Sequence, residues 1–386
     1  MGPLDHPAAA LFEPQPAGRC FINAAYMSPK PRASLEAMRR TVERLASPDF
    51  SAEEFFEPGE RVRELLARVV GGEASRYSLT GSASFGMATL AWNLRLRAEE
   101  LVGSRRRIVG IDGQFPSNVH SWRRLEPWGF QLELVPGGAG VGERLLDAID
   151  ARTALVAVAP LSWTDGRRIE LQRILGAAAE RGALTLLDVT QSAGVDPPLA
   201  PDLPIDLVIG AGYKWVLGDY GTGYMRLTPE LQEKLEPLEA SWKNFEGAQD
   251  FNRLTDYPEA WAGPAARFDH GESSAFVRLG GWEAALRVLL ELDEGEVGRH
   301  ASAFARELRG ALDLERFEMS DTEDEGQAAH LFRVAPRNPA RFQEGSRALQ
   351  AAGVSVSCRD GGWRLSPHVY NDARDVERFA SALAEL

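Results

Sequence analysis

The chain has 386 residues, of which 44% are hydrophobic, and its formal net charge is −13. This length allows a large buried core and predicts two domains, or one large α/β domain with an appendage. The acidic charge and the lack of a long basic stripe argue against nucleic-acid binding, because phosphate backbones are held by clustered Lys and Arg side chains.

Cysteine content and hydropathy bear on the compartment. Cys20 and Cys358 are too few and too far apart for a disulfide framework or a metal site, so we expect no metal and a reducing cytoplasm. No 18-residue apolar run occurs, and the first residues lack the basic start and the apolar core of a signal peptide. We therefore expect no association with a membrane.

The order of predicted elements divides the chain into three parts. Residues 1–19 are rich in Pro and Ala and are predicted to form an arm that packs with the small domain. Residues 20–280 alternate between strand and helix patterns, and repeated right-handed crossovers of this kind give a doubly wound, mostly parallel sheet. Residues 281–386 mix helices with short strands and predict a smaller α+β domain at the C-terminus.

The segment 77–86 contains small residues at a predicted strand-to-helix junction, and the helix is predicted to extend through Leu96. Backbone N–H groups at such a junction can approach an anion, and the helix dipole favours a phosphate there. The candidate phosphate-binding residues are Ser82, Ala83 and Ser84. The segment lacks the Gly-Lys-Ser/Thr ending of a P-loop, which disfavours a nucleoside triphosphate.

Two aromatic residues follow later strands of the same predicted sheet. Phe115 comes after the strand 108–112 and precedes Pro116, so its ring could lie flat on a planar ligand or could pack in the core. Trp163 lies in the loop that follows the strand 155–159. Both loops fall at the carboxyl edge of the sheet, where ligands bind in open α/β folds.

An acid and a lysine follow the next two predicted strands. Asp188 lies near the end of the strand 184–189, and Lys214 comes just beyond the strand 206–209. Tyr213 and Trp215 flank the lysine and would desolvate it, which lowers its pKa and favours the neutral amine needed for covalent catalysis. Alternatively, the lysine stem covers the aromatic rings and its ammonium reaches water.

The residues Asp188, Gln191 and Lys214 resemble the pattern D-x-x-[HQ], strand, [SG]-x-[HY]-K of the class V aminotransferase family, which comprises fold-type I pyridoxal phosphate enzymes. That family includes kynureninases, cysteine desulfurases and isopenicillin N epimerases, and the resemblance covers nearly the whole chain. It implies a pyridoxal 5′-phosphate cofactor, an amino-acid substrate, and a homodimer with shared active sites.

The resemblance also implies a role for each matching residue. Lys214 would be the Schiff-base lysine and general base, and Asp188 would pair with the pyridine nitrogen. Further cofactor contacts would come from Ser82, Ala83, Ser84 and Tyr213 at the phosphate, Phe115 on the ring, Gln191 near the phenolate, and Trp163, whose indole N–H could donate where relatives carry Asn. The backbone at Ala24, between a short strand and a tight loop, would lie near the substrate carboxylate, although a simple surface turn also fits that segment.

Two segments in the last part of the chain complete the predicted site. Relatives carry a Thr that reaches the phosphate of the neighbouring subunit, but Glu272 stands at that position, so Ser273 or Ser274 would take the role. Arg364 lies in an otherwise apolar strand and is costly to bury unless it meets an anion. The resemblance implies that Arg364 holds the α-carboxylate of the substrate; a structural Arg–Glu pair is the alternative.

The expected activity is that of an aminotransferase or a kynureninase-like lyase, and the sequence does not choose between transamination, elimination and epimerisation. We expect no cysteine desulfurase activity, because Cys358 ends a predicted strand and has little reach. Another hypothesis is a ligand-binding protein of the same fold without turnover, which the departures at Ala83, Trp163 and Glu272 would suit. A nicotinamide dehydrogenase is disfavoured because Trp215 replaces the third glycine of G-x-G-x-x-G.

Overall fold

The computed structural model describes residues 4–273, 275–322, 324 and 326–386. The strands are β1 (Cys20–Phe21), β2 (Tyr77–Thr80), β3 (Arg107–Ile111), β4 (Gln131–Val135), β5 (Thr153–Val158), β6 (Leu184–Asp188), β7 (Leu207–Ala211), β8 (Gly223–Leu227), β9 (Phe317–Met319), β10 (Phe332–Pro336), β11 (Val354–Ser355), β12 (Ser357–Arg359) and β13 (Gly362–Leu365). The α-helices are α1 (Arg32–Arg44), α2 (Glu57–Val70), α3 (Ala83–Val102), α4 (Ser117–Arg123), α5 (Val141–Ala148), α6 (Leu171–Glu180), α7 (Pro229–Lys234), α8 (Phe276–Glu291), α9 (Glu296–Ala311), α10 (Phe342–Ala351) and α11 (Ala373–Leu383).

Seven strands form the large sheet, in the order β2-β8-β7-β6-β5-β3-β4. Strands β4, β3, β5, β6 and β7 run parallel to one another. Strand β8 is antiparallel to the strands on both of its sides, β7 and β2. The predicted α/β fold with a mostly parallel, doubly wound sheet is confirmed.

The central strands are mostly apolar because helices cover both faces of the sheet. Along β6 and β7 the side chains alternate between two cores: Leu187 and Val208 face one, and Leu186 and Ile209 face the other. Helices α2, α5, α6 and α8 contribute to the first core, and α3, α4 and α7 contribute to the second.

The C-terminal part has its own sheet and its own core. The antiparallel sheet has the order β12-β13-β10-β9, and its core includes Phe304, Phe332, Trp363 and Phe379. The hairpin β12–β13 turns at Asp360-Gly361, whose φ angles are 46° and 71°. Two positive φ angles in a two-residue Asp-Gly loop are typical of a type I′ turn, which matches the twist of the paired strands.

Elements near the predicted domain borders at 20 and 280 pack with a different core from the one that these borders assign to them. Strand β1 pairs with β11, and Cys20 packs in the C-terminal core. Helix α8 extends to Glu291, and its buried residues, including Trp282, belong to the large core. The N-terminal arm contacts both, with Leu4 in the C-terminal core and Phe12 in the large core. We propose that the large domain ends after α8.

Within the part of the chain that the structure describes, no helix has the length and apolar content that would let it cross a membrane.

Candidate active site

A cavity of about 470 Å³ opens at the carboxyl edge of the parallel strands. The ends of β6 and β7, the loop after β5 and the start of α3 meet there, as expected for an open α/β sheet. Nine of the predicted site residues line it: Ser82, Ala83, Ser84, Phe115, Trp163, Asp188, Gln191, Tyr213 and Lys214. The other three, Ala24, Ser273 and Arg364, lie outside its lining.

The Lys214 side chain is 7% exposed and carries the reactive amine of the cavity. Burial and, secondarily, the charge of Arg364 lower the pKa of Lys214, Asp188 opposes them, and the net result is a pKa of about 8. Among the described residues no hydrogen-bond acceptor meets the Nζ atom, which lies 5.5 Å from the ring centre of Phe115 and 5.9 Å from that of Tyr213. A substantial neutral fraction near neutral pH makes this amine a nucleophile.

Asp188 is buried at the end of β6, and burial raises the pKa of its carboxyl group. Its Oδ1 accepts a hydrogen bond of 3.0 Å from the Thr190 N–H, and the Thr190 Oγ1 accepts one of 3.1 Å from the Ala211 N–H. Thr190 therefore joins the ends of β6 and β7. Thr190 is not among the site residues predicted from the sequence, although a residue two positions after an Asp often donates its N–H to that side chain in an Asx turn.

Gln191 is held by three contacts to the protein. Its Nε2 donates to the Ala25 carbonyl at 3.2 Å, and its Oε1 accepts from the Trp215 Nε1 at 2.9 Å. His330 bonds to the Gln191 carbonyl at 2.8 Å. One N–H of the Gln191 amide remains for a ligand, because a primary amide has two donors.

The start of α3 forms the polar end of the cavity. The Ser82 Oγ accepts from the Phe85 N–H at 3.3 Å and lies 2.9 Å from the Ser84 Oγ. A side chain at Gly223 would place its Cβ 2.7–2.9 Å from the backbone of Ser82, so only glycine allows β8 to approach this closely. The first N–H groups of a helix have no partner within the helix, which makes this end suited to a phosphate.

Two aromatic rings form another wall. Phe115 is 42% exposed and contacts Trp163 edge to face, with the ring centres 5.4 Å apart. The Trp163 Nε1 donates to the Gly113 carbonyl at 2.9 Å. The role of hydrogen-bond donor to a ligand that we expected for this indole is therefore wrong, because its single N–H is already used.

The backbone contact expected at Ala24 is also absent. Its N–H donates to the Ser366 carbonyl at 3.1 Å, and its side chain is buried in the large core. This N–H is consequently not free for a substrate carboxylate.

Ser273 lines a second cavity, where its Oγ accepts a hydrogen bond of 3.2 Å from the Lys243 Nζ. Glu272 accepts from the Trp242 indole at 3.2 Å. Ser274, the alternative candidate, lies outside the described residues. Within its own chain, Ser273 is thus separate from the cavity of Lys214.

Arg364 is 2% exposed, and within residues 4–273, 275–322, 324 and 326–386 no carboxylate forms an ion pair with it. Its Nη1 donates to the Trp163 carbonyl at 2.8 Å and its Nη2 to the Ser357 Oγ at 3.3 Å, while its Nε has no partner. Burial, and secondarily the charge of Arg359, lowers the pKa of Arg364 to about 10. The alternative of a structural Arg–Glu pair finds no support among these residues. Arg359 is not among the site residues predicted from the sequence. The signal that could have identified it is its position two residues after Ser357, which places both side chains on one face of the strand.

This geometry can be compared with known proteins. The aminotransferase class-V family model matches residues 27–379. The chain belongs to this family. An uncharacterized aminotransferase of Bacillus subtilis (strain 168) is 23% identical over 333 residues, covering 86% of this chain and 84% of the relative. An isopenicillin N epimerase of Amycolatopsis lactamdurans is 26% identical over 388 residues, covering 95% of this chain and 94% of the relative.

Solved structures share the fold at low identity. The cystine C-S lyase C-DES, in complex with cysteine persulfide, has a TM-score of 0.84 at 19% identity and covers 96% of this chain and 98% of its own. The cysteine desulfurase of Thermococcus onnurineus NA1, without ligand, has a TM-score of 0.81 at 19% identity and covers 95% and 94%.

The family and a C-DES mutant with glycine linked to its PLP cofactor identify the cofactor as pyridoxal 5′-phosphate. The described cavity fits this group. The start of α3 suits its phosphate, Phe115 its planar ring, and Lys214 its aldehyde. Among the described residues no side-chain cation forms an ion pair with the buried carboxyl group of Asp188, so a protonated ring nitrogen would compensate its charge.

Proposed function

We propose that this class V enzyme acts on the α-carbon of an amino acid, as an aminotransferase or a kynureninase-like lyase. The observation that carries the proposal is the set Lys214, Asp188 and Arg364. Among the described residues the buried amine has no hydrogen-bond acceptor, the buried acid ends the adjacent strand, and the buried guanidinium has no counterion. Each group lacks the partner that a cofactor-bound amino acid would supply.

Asp188, Lys214 and Arg364 each have a separate role in the proposed reaction. When bound, pyridoxal 5′-phosphate supplies an electron sink for the bonds of the substrate α-carbon. Asp188 would hold a proton on the cofactor ring nitrogen, and Lys214 would anchor the cofactor and carry a proton at its own Nζ. Arg364 orients the substrate through the α-carboxylate, since its planar fork matches two carboxylate oxygens.

Borohydride reduction of the purified protein, followed by peptide mapping, tests this assignment. We expect the reduced cofactor on the peptide that contains Lys214 in the wild type, and no covalently retained cofactor after reduction of Lys214→Ala. Lys30, whose pKa is also lowered to about 8, is the matched control, because it lies outside the lining of the cavity. Label on Lys30 or on another peptide would end the assignment, and bound cofactor without turnover of any amino acid would favour the ligand-binding alternative.

We also propose that the enzyme is a homodimer in which Ser273 reaches the cofactor phosphate of the neighbouring subunit. Its position in a second cavity of its own chain supports this arrangement, because the side chain cannot serve both places within one subunit. A reducing cytoplasm stays our prediction for the compartment and suits the exposed free thiol of Cys358.

Desulfurase activity through Cys358 is disfavoured in our proposal. The thiol lies within strand β12 and faces helix α10, with its Sγ 3.8 Å from the Ser346 Oγ. Its neighbours Ser357 and Arg359 face the opposite way, toward Arg364 and Trp163. A paired strand residue cannot swing across its own sheet to attack a substrate sulfur atom.

A further inference from the structure

The β12–β13 hairpin presents two arginines on one face. Ser357 is paired opposite Arg364, and Arg359 is two residues further along the same strand. Opposed residues and alternate residues of an antiparallel pair share a face, so Arg359 and Arg364 project from the same side. Both guanidinium carbons approach the indole of Trp163, at 5.1 Å and 6.0 Å from its ring centre.

Neither arginine has an anionic partner among the residues that the structure describes. The Nε–H groups of Arg359 and Arg364 are buried and donate no hydrogen bond to the described residues. Arg333, opposite Arg364 on strand β10, differs: its Nη1 lies 2.6 Å from the Glu318 carboxylate. Two adjacent positive charges without a counterion are costly to bury, so this face is built for an anion from outside the chain.

Apart from Asp188, three carboxylates line the cavity among the described residues, and each lies in a loop or turn. Asp112 accepts the Gly113 N–H at 3.0 Å, and Asp165 accepts the Arg167 N–H at 3.2 Å. Asp360 occupies the turn of the hairpin, with φ at 46°. None of the three forms an ion pair with Arg359 or Arg364, so neither guanidinium charge has a counterion among the described residues, although Arg359 donates to the Cys358 carbonyl and Arg364 to Trp163 and Ser357.

A single α-carboxylate would occupy only one of these groups in a forked, two-bond geometry. Arg364 is the more deeply buried and is the larger influence on the charge of Lys214. Arg359 is half-buried and contacts the same Trp163 ring, but it is more exposed to solvent than Arg364. We propose that the substrate is an amino acid whose side chain carries a second anionic group, with its α-carboxylate at Arg364 and its side-chain anion at Arg359. This inference rests on the proposed function, because it assigns the α-carboxylate to Arg364.

Dicarboxylates and matched monocarboxylates test the inference without turnover. Each of succinate, glutarate and adipate is compared with the monocarboxylate of equal carbon number by calorimetric titration of the cofactor-loaded enzyme. We expect at least one dicarboxylate to bind about tenfold or more tightly than its monocarboxylate, since a charge-assisted hydrogen bond is added. Equal binding across all three pairs would overturn the inference.

Variants assign the second anion to its residue. Arg359→Gln should reduce the dicarboxylate preference to near unity, and Arg359→Lys should restore part of it. Arg341→Gln is the matched control: this exposed arginine already has a carboxylate partner, Glu344 at 2.6 Å, so the preference should stay. A preference that survives Arg359→Gln would also overturn the inference.

The visible spectrum separates failure of this inference from failure of the proposed function. Glutamate or aspartate should change the cofactor absorption at lower concentration than glutamine, asparagine or norvaline. If the neutral amino acids act equally well, both arginines hold one carboxylate, and the inference is wrong while the proposed function stands. If no amino acid alters the spectrum, the proposed function itself fails.

Discussion

Lys214 illustrates how a single residue trades stability for reactivity. Its ammonium is buried without a hydrogen-bond acceptor among the described residues, and its pKa is lowered to about 8 in the folded chain from an ordinary value of 10.5. Below both values the folded state must hold a charge that water would solvate better. The unfolded state binds more protons than the folded state between these values, so stability rises with pH across this window.

We therefore predict that Lys214→Met stabilises the cofactor-free protein at pH 7, by about 2–3 kcal/mol, as one pKa unit corresponds to roughly 1.4 kcal/mol. The gain should shrink as pH rises from 8 to 10.5, where the wild-type lysine becomes neutral. Urea unfolding at several pH values measures it. Lys30 and Lys243, whose pKa values are also lowered, are present in both proteins and cancel in the difference. A destabilised variant, or a gain that does not depend on pH, would contradict this.

Cys358 gives a second prediction at the scale of one residue. Because its thiol faces α10 rather than the cavity, Cys358→Ala should keep most of the activity on the true substrate. The wild type incubated with cysteine and a reductant should release little sulfide. Strong sulfide release that disappears in Cys358→Ala would show that the desulfurase assignment had been dismissed wrongly.

At the scale of elements, an ion pair fixes α2 to the segment that leads to Ser273. The guanidinium of Arg63 forms two hydrogen bonds to Asp269, of 3.0 Å and 2.7 Å, and both side chains are buried. Asp269 also accepts the Leu79 N–H at 2.8 Å, which adds strand β2. The pair therefore connects three separate elements beside the start of α3.

Removing one partner of such a pair leaves a buried, uncompensated charge. We predict that Asp269→Asn lowers the free energy of unfolding by about 3 kcal/mol. Glu143→Gln is the control: its pair with Arg173 is exposed, and its loss should cost less than about 1 kcal/mol. Denaturant unfolding of both variants measures the difference, and equal effects would refute the special role of the buried pair.

At the scale of the molecule, the proposed subunit arrangement follows from where Ser273 lies. We predict a homodimer by light scattering, and about tenfold weaker binding of pyridoxal 5′-phosphate in Ser273→Ala, because one charge-assisted hydrogen bond is lost. Ser75, in the same second cavity, supplies the control Ser75→Ala, which should leave cofactor binding intact. A monomer that binds the cofactor as tightly as the wild type would rule out shared sites.

Local patterns in the sequence were enough to predict much of the fold. The strand predicted at 108–112 is β3, shifted by one residue, and the strand predicted at 184–189 is β6 with one residue more. Apolar runs and helical spacing are properties of neighbouring residues, so they survive without knowledge of the tertiary fold. The border predicted at 280 falls within α8, and only the packing of this helix against the large core supports the later border that we propose.

The sequence by itself determined that Lys214, Asp188 and the start of α3 meet in one cavity, because the ends of parallel strands share an edge of the sheet. Tertiary structure alone decided which polar groups stay available. The indole N–H of Trp163 is used by Gly113, a residue distant in the chain, whereas no carboxylate pairs with Arg364 in the described chain. Hydrogen bonds between distant segments depend on distances of a few tenths of an ångström, which no local pattern encodes.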